Sequence, residues 1–239
     1  MDFVNGIGCA KDIEKSKYYL KKAIDYGNDP KALFNYADIL MKERNRDDID
    51  NIDKDDLYKE AFDYYKEAAK QGLPEAQYRY ACLILEILEK KEQRDYNTDL
   101  NDNSQSEDLT EDENINYETA EKNLKNSAKL NYPPAVYKYS IFLLDIKKCT
   151  RKGMEFMKKA ADDGNDEAKF KYGKMMFEGY NFINRKGDDT FKIDTNVGLK
   201  YIREAASNKF RAAEDFLMAY NGKNEVKQKV MPKAASKKK

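Results

Sequence analysis

The side chains with which proteins do acid–base, nucleophilic and metal chemistry are unevenly supplied in this chain of 239 residues. It has no histidine, which removes the commonest general base and the commonest metal ligand. Its three cysteines, Cys9, Cys82 and Cys149, are far apart and odd in number. They form neither a Cys-x-x-Cys pair nor a disulfide framework, which points to a reducing compartment, the cytoplasm or the nucleus. Cys82 lies in an apolar stretch and reads as core. Carboxylates are plentiful but interspersed with lysines, the pattern of solvated helix faces rather than of a paired acid and base. Gly6-Ile7-Gly8 lacks the third glycine and the preceding strand that a phosphate-cradling loop needs. The spacing Ser-x-x-Lys occurs only at Ser236 to Lys239, inside a terminal lysine run. No residue is therefore nominated as catalytic, cofactor-binding or metal-ligating, and no cofactor or small-molecule substrate is expected.

Charge narrows the partners further. Lys and Arg number 44 and so do Asp and Glu, giving a net charge of zero although 37% of residues are charged. No global basic field invites nucleic acid, which is not expected as a partner. The longest apolar run, Ala81 to Leu85, is far too short for a membrane span. No basic segment followed by an apolar one opens the chain, so no signal peptide is expected.

The elements are helices. Leu57, Ala61, Tyr64, Tyr65, Ala68 and Ala69 recur at helical spacing and make one apolar stripe. Gly72 sits where a helix end favours a left-handed residue, and Pro74 opens the next helix, where its missing N–H costs nothing. Ala76, Tyr80, Leu83, Ile84, Ile87 and Leu88 form the second stripe. A turn this short makes the two helices antiparallel neighbours. Two amphipathic helices cannot bury both faces on each other, and stacking further copies solves that. The stripe of the first helix reads Ile13, Ser16, Tyr19, Leu20 and Ala23, with Asp29-Pro30 starting the second helix. Residues 43–56 read as a polar loop, and Gly222 as the end of the last helix.

The hairpin recurs. Small residues fall at Ser16, Ala61, Ala120, Gly153 and Gly198, and turn residues eleven further on at Gly27, Gly72, Asn131, Gly164 and Lys209. The copies are 45, 59, 33 and 45 residues apart, so all length variation lies between one hairpin and the next. Residues 95–116 hold eight acidic residues and no Lys or Arg, the composition of a disordered loop. Ser104 and Thr110 there each have an acidic residue three positions on, as an acidophilic kinase would use. Residues 223–239 carry seven lysines and read as a flexible basic tail whose contact with RNA or acidic membranes would be weak and salt-sensitive.

With these residues in view, the chain resembles the Sel-1-like repeat family, relatives of the tetratricopeptide repeats. Residues 57–81 are similar to the family's helix–turn–helix pattern. Phe3-Val-Asn-Gly6-Ile-Gly8 with Asp12, Lys15 and Ser16 is similar to its loop and following helix start. Ala168, Tyr172-Gly173, Met176 and Gly179 match its second helix, and Asp194 its loop. The resemblance runs from residue 3 to about residue 222. It implies an all-α fold: a right-handed α/α superhelical solenoid of about five helix–turn–helix repeats, with the acidic loop inserted and the basic tail appended. The domain reading is a repeat array over 1–222, truncated in its first repeat, and a tail over 223–239. Since the chain starts part-way through a repeat, it is either a fragment of a longer array or capped by an exposed first helix. The regular cysteine pairs of disulfide-rich bacterial relatives, to which a penicillin-interacting role is attributed, are missing.

The expected function is that of a non-enzymatic scaffold or adaptor holding a partner protein or an extended peptide on the repeat surface, its contact residues unassigned. The alternative is a regulatory repeat segment of a larger signalling enzyme such as a kinase. The small positions carry a packing expectation: Ala61→Leu and Ala68→Leu should each destabilise by about 1–3 kcal/mol through overpacking, read as a lowered thermal midpoint.

Overall fold

Side-chain caps explain where six of the ten described helices begin. In the computed structural model, which describes residues 12–97, 115–179 and 193–230, Asp or Asn side chains accept a backbone N–H three residues on at six helix starts. These are Asp12 from Lys15 (2.9 Å), Asp29 from Ala32 (2.7 Å), Asp50 from Asp53 (2.9 Å), Asn116 from Thr119 (2.8 Å), Asn165 from Ala168 (2.8 Å) and Asp194 from Val197 (3.0 Å). Each satisfies a donor that the helix itself leaves unpaired. The helices are α1 (Ile13–Gly27), α2 (Pro30–Arg44), α3 (Asn51–Lys70), α4 (Pro74–Asn97), α5 (Tyr117–Lys129), α6 (Pro133–Asp145), α7 (Thr150–Asp162), α8 (Asp166–Glu178), α9 (Thr195–Ser207) and α10 (Arg211–Val230). No strand occurs among the described residues. The all-α fold of repeated helical hairpins is the one the sequence predicts. Gly6 to Gly8, Cys9, most of the acidic segment and residues 231–239 lie outside the described residues.

The chain forms two compact units, residues 1–136 and 137–239. In the first, α1 packs on α2, α2 on α3, α3 on α4 and α4 on α5, so successive hairpins stack side by side. Its core is Leu33, Tyr36, Leu40, Phe62, Tyr65, Tyr80, Ile84 and Leu124, each at most 5% exposed. The Ser127 hydroxyl on α5 donates to the Pro74 carbonyl at 2.7 Å and ties α5 to the start of α4. In the second unit α7 packs on α8, α8 on α9 and α9 on α10, around Phe142, Leu144, Met154, Met157 and Ile202.

The joint between hairpins is made of small residues. Every second helix but the last carries an aromatic and then a small side chain: Tyr36-Ala37, Tyr80-Ala81, Tyr139-Ser140 and Tyr172-Gly173, all buried. The next first helix presents its own small residue, Ala61, Ala120, Gly153 or Gly198, also buried. The tightest joint is α8 on α9. A Cβ on Gly198 would lie 2.6 Å from the Gly173 carbonyl oxygen and 2.7 Å from the Phe177 nitrogen. On α10 the corresponding residue is Met218, 66% exposed, and no described helix packs there to require a small one.

Four turns share one hydrogen-bond pattern. Leu73, Tyr132, Asn165 and Phe210 donate to the carbonyls of Ala68, Ser127, Ala160 and Ala205 at 3.0–3.4 Å. The residue before each donor, Gly72, Asn131, Gly164 or Lys209, has positive φ, the arrangement of a Schellman ending. The first turn departs from the prediction. Its left-handed residue is Asn28 (φ 48), not Gly27, and the Asn28 N–H bonds the Ile24 carbonyl. This simpler single-bond ending leaves the hairpin one residue longer between its small residue and its turn.

Other boundaries differ from the sequence reading as well. The loop placed at 43–56 spans only 45–50, because the Asp50 cap starts α3 at Asn51. Residues 95–97, read as acidic loop, complete α4. The last helix passes through Gly222 and reaches Val230, since a helix-interior glycine costs only about 1 kcal/mol relative to alanine and does not by itself end a helix. Residues 223–230, read as tail, are therefore helical. On α1, Ile13 and Tyr19 are 44% and 54% exposed: among the described residues nothing precedes α1 to cover the face that α3 and α5 bury. Phe62, absent from the predicted stripe, is 1% exposed, and Cys82, read as core, is only half-buried.

Candidate functional site

Tyrosine is the most abundant side chain with a titratable hydroxyl, and its environment fixes what it can do. Burial pushes the Tyr58 and Tyr65 hydroxyls well above the ordinary phenol range, and burial, then the Cys82 side chain, takes Tyr78 to about 12. These groups stay protonated near neutral pH and cannot act as phenolate bases. Tyr65 donates to Asp38, joining α3 to α2, and Tyr201 donates to Asp162 at 2.6 Å, joining α9 to α7. The carboxylates that move, Asp12, Asp48, Asp162, Asp166 and Glu167, are all held below their ordinary values. Each is a fixed negative charge near neutral pH, whereas a general acid needs the opposite shift. Among the described residues no group of three or more His, Cys, Asp or Glu side chains is placed to hold a metal ion.

Asp162 illustrates the linkage. Partial burial acts to raise it, and the Lys158 and Tyr201 hydrogen bonds outweigh that and lower it. A carboxylate depressed on folding stabilises the native state above its unfolded pKa, and that contribution is lost as pH falls through the folded value. Thermal stability should therefore drop as pH falls below about 4. Asp162→Asn should remove part of this acid sensitivity by lowering the midpoint near neutral pH while leaving it little changed at low pH. Unfolding curves of both proteins across that range check it; parallel curves would refute the assignment.

What the fold assembles within each unit is a surface on its first helices. Five residues beyond each small residue stands a basic one: Lys21, Lys66, Lys125, Lys158 and Arg203. On α5 the positions three before and four after Lys125 are lysines too, Lys122 and Lys129, and at these spacings all three share a face. In the first unit this face opens into two grooves. One, of about 390 Å³, lies between α1 and α3 and is lined by Ile24, Leu33, Tyr64, Lys66 and Lys70 among others. The other, of about 620 Å³, lies between α3 and α5 over the start of α4. Lys66, Lys70, Lys122, Asn123, Asn126, Thr119 and Gln77 supply most of its polar lining, and no carboxylate does. Lys70 meets Glu67 at 3.5 Å with both side chains well exposed, a weak pair.

No groove residue was nominated from sequence. The signal was available in the basic residue at one repeat position in all five copies, but a solvated lysine and a groove lysine read alike until the facing helices are known.

Comparison with known proteins places this architecture. The model of the Sel1 repeat matches residues 3–28, 30–73, 74–89, 137–165 and 166–210. Among solved structures, similar folds include c5321, a protective antigen of uropathogenic Escherichia coli strains displaying an SLR fold (TM-score 0.63, 20% identity over 88% of this chain). A Sel1 repeat protein from Oxalobacter formigenes is similar at TM-score 0.60 and 20% identity, covering 88% of this chain and 71% of its own. The chain spans only 37% of the length of c5321. No curated protein sequence matches. No helix among the described residues is long and apolar enough to cross a membrane.

Proposed function

Since the chain belongs to the Sel1 repeat family, whose repeats generally mediate protein interactions, we propose that it is a non-enzymatic scaffold or adaptor that holds a partner protein or extended peptide on the face that the first helices form within a unit. The observation that carries this is the recurring basic position on that face together with the two grooves beside it in the first unit. Repetition of one surface feature at repeat spacing suits a ligand that is itself extended, whereas a small substrate needs one enclosed site. The reading places the protein in the cytoplasm or nucleus, supported by its three separated cysteines. The test is a crosslinked pull-down from native lysate with the folded chain as bait at two salt concentrations. Stoichiometric capture of a protein that survives high salt is the expected result. Capture that is heterogeneous and wholly salt-labile would overturn it and leave the lysine-rich C-terminal segment as the binding element.

A further inference from the structure

We propose that the groove between α3 and α5 is a binding site for an extended acidic peptide, its carboxylates held by Lys66, Lys70 and Lys122 and one of its backbone N–H groups by Gln77. The proposal rests on the scaffold reading and names the chemistry of the ligand. Three ammonium groups line the groove with no carboxylate among them, so its charge is complementary to an acidic ligand. Lys66 and Lys70 stand four residues apart on α3, and Lys122 and Asn126 four apart on α5. Each pair therefore shares a helix face, and the groove is edged by two rows of donors.

Gln77 decides between kinds of acidic ligand. It is 6% exposed. Its side-chain nitrogen donates to the Ala69 carbonyl at 3.4 Å, while its Oε1 is buried without a hydrogen-bond partner. A buried acceptor left unpaired is costly and rare, and what it lacks is a donor. A peptide backbone brings an N–H donor at nearly every residue along with side-chain carboxylates, whereas the phosphates of a nucleic acid bring only acceptors and its donors are confined to base edges and 2′-hydroxyls. The one aromatic residue of the lining, Tyr80, is 4% exposed and offers no open ring on which bases could stack, as single-stranded nucleic acid requires.

The test uses the full chain and fluorescence anisotropy with three labelled probes: an octapeptide of alternating Glu and Leu, its Gln/Leu counterpart, and a single-stranded oligouridine. The variants are Lys66→Gln with Lys122→Gln in the groove, Lys31→Gln with Lys42→Gln as an equal charge change on α2 outside it, and Gln77→Leu. Saturable binding of the Glu/Leu peptide in preference to both other probes is expected. The groove pair should weaken it about tenfold, the control pair less than about twofold, and Gln77→Leu about fivefold, with helical circular dichroism retained. Absence of saturable peptide binding, tighter binding of the oligouridine, or equal losses in the two lysine pairs would each overturn the proposal. The groove pair also serves as bait in the pull-down. A partner captured equally by wild type and groove variant sinks the groove assignment and leaves the scaffold reading standing, whereas a wild-type bait that captures no stoichiometric partner sinks the scaffold reading itself.

Discussion

Gly198→Ala is expected to cost about 3 kcal/mol, the upper end of what overpacking usually does, and to lower the thermal midpoint by roughly 6–12 °C. One methyl group suffices because of what it would meet. Its neighbours at 2.6, 2.7 and 2.9 Å are the Gly173 oxygen and the Phe177 nitrogen and Cα, all backbone, and none can rotate aside. Accommodation requires α8 and α9 to separate, and Ile202, Ala205 and Ala213, all completely buried beyond that joint, would lose packing with them. Gly164→Ala is the informative contrast. That site has open space around it but φ of +99°, so the added methyl costs only the left-handed backbone, about 1–2 kcal/mol. Denaturant unfolding of the two variants side by side gives the ranking. Equal losses would mean that the close helix crossing is not what glycine supplies at position 198.

In the first unit the largest effect is expected from Phe62→Ala, a loss of about 3–5 kcal/mol. The ring is 1% exposed and its centroid lies 5.2 Å from that of Tyr80, so it fills the space between the two helices of the second hairpin. Truncation leaves a cavity whose walls are helices pinned at both ends by turns and caps, which limits collapse. Phe62→Leu, which keeps much of the volume, should cost less than about 1.5 kcal/mol. Asp63→Ala, one residue on and facing solvent, should stay within about 0.5 kcal/mol. A Phe62→Ala protein as stable as the Asp63→Ala one would show that the core of this hairpin lies elsewhere.

Much of this architecture was legible because its determinants are local. Gly72, Asn131, Gly164 and Lys209 were identified as turn residues from their constant offset, and all four adopt positive φ. Lys209 shows how strong the position is: a residue with a Cβ holds φ of 65° because the Phe210–Ala205 hydrogen bond and the packing around it determine the conformation. The failures came where tertiary context decides. Asn28 rather than Gly27 ends α1, since two adjacent residues that both tolerate a left-handed backbone cannot be ranked by type alone. Tyr19 has the spacing of a core residue, but no helix among the described residues covers it. Phe62 widens the stripe onto a flank that only the antiparallel partner covers. The groove was the least legible feature. Lys66 and Lys122 are 56 positions apart, and nothing in either local sequence marks the two as edges of one cleft.

The constant offset within hairpins and the variable spacing between them divide the chain into two regimes of tolerance to length change. An added residue inside a clamped hairpin would rotate all that follows by roughly 100° and turn a small joint residue away from its neighbour. The same residue added between hairpins only lengthens a loop, at a small entropic cost. The sole hairpin whose count differs is the first, where α1, among the described residues, packs chiefly on α2. Insertions and deletions accumulated over evolutionary time should therefore collect at the joints and at this first hairpin, and the same places are where an engineered tag or a grafted sequence would be accepted with the remaining repeats undisturbed.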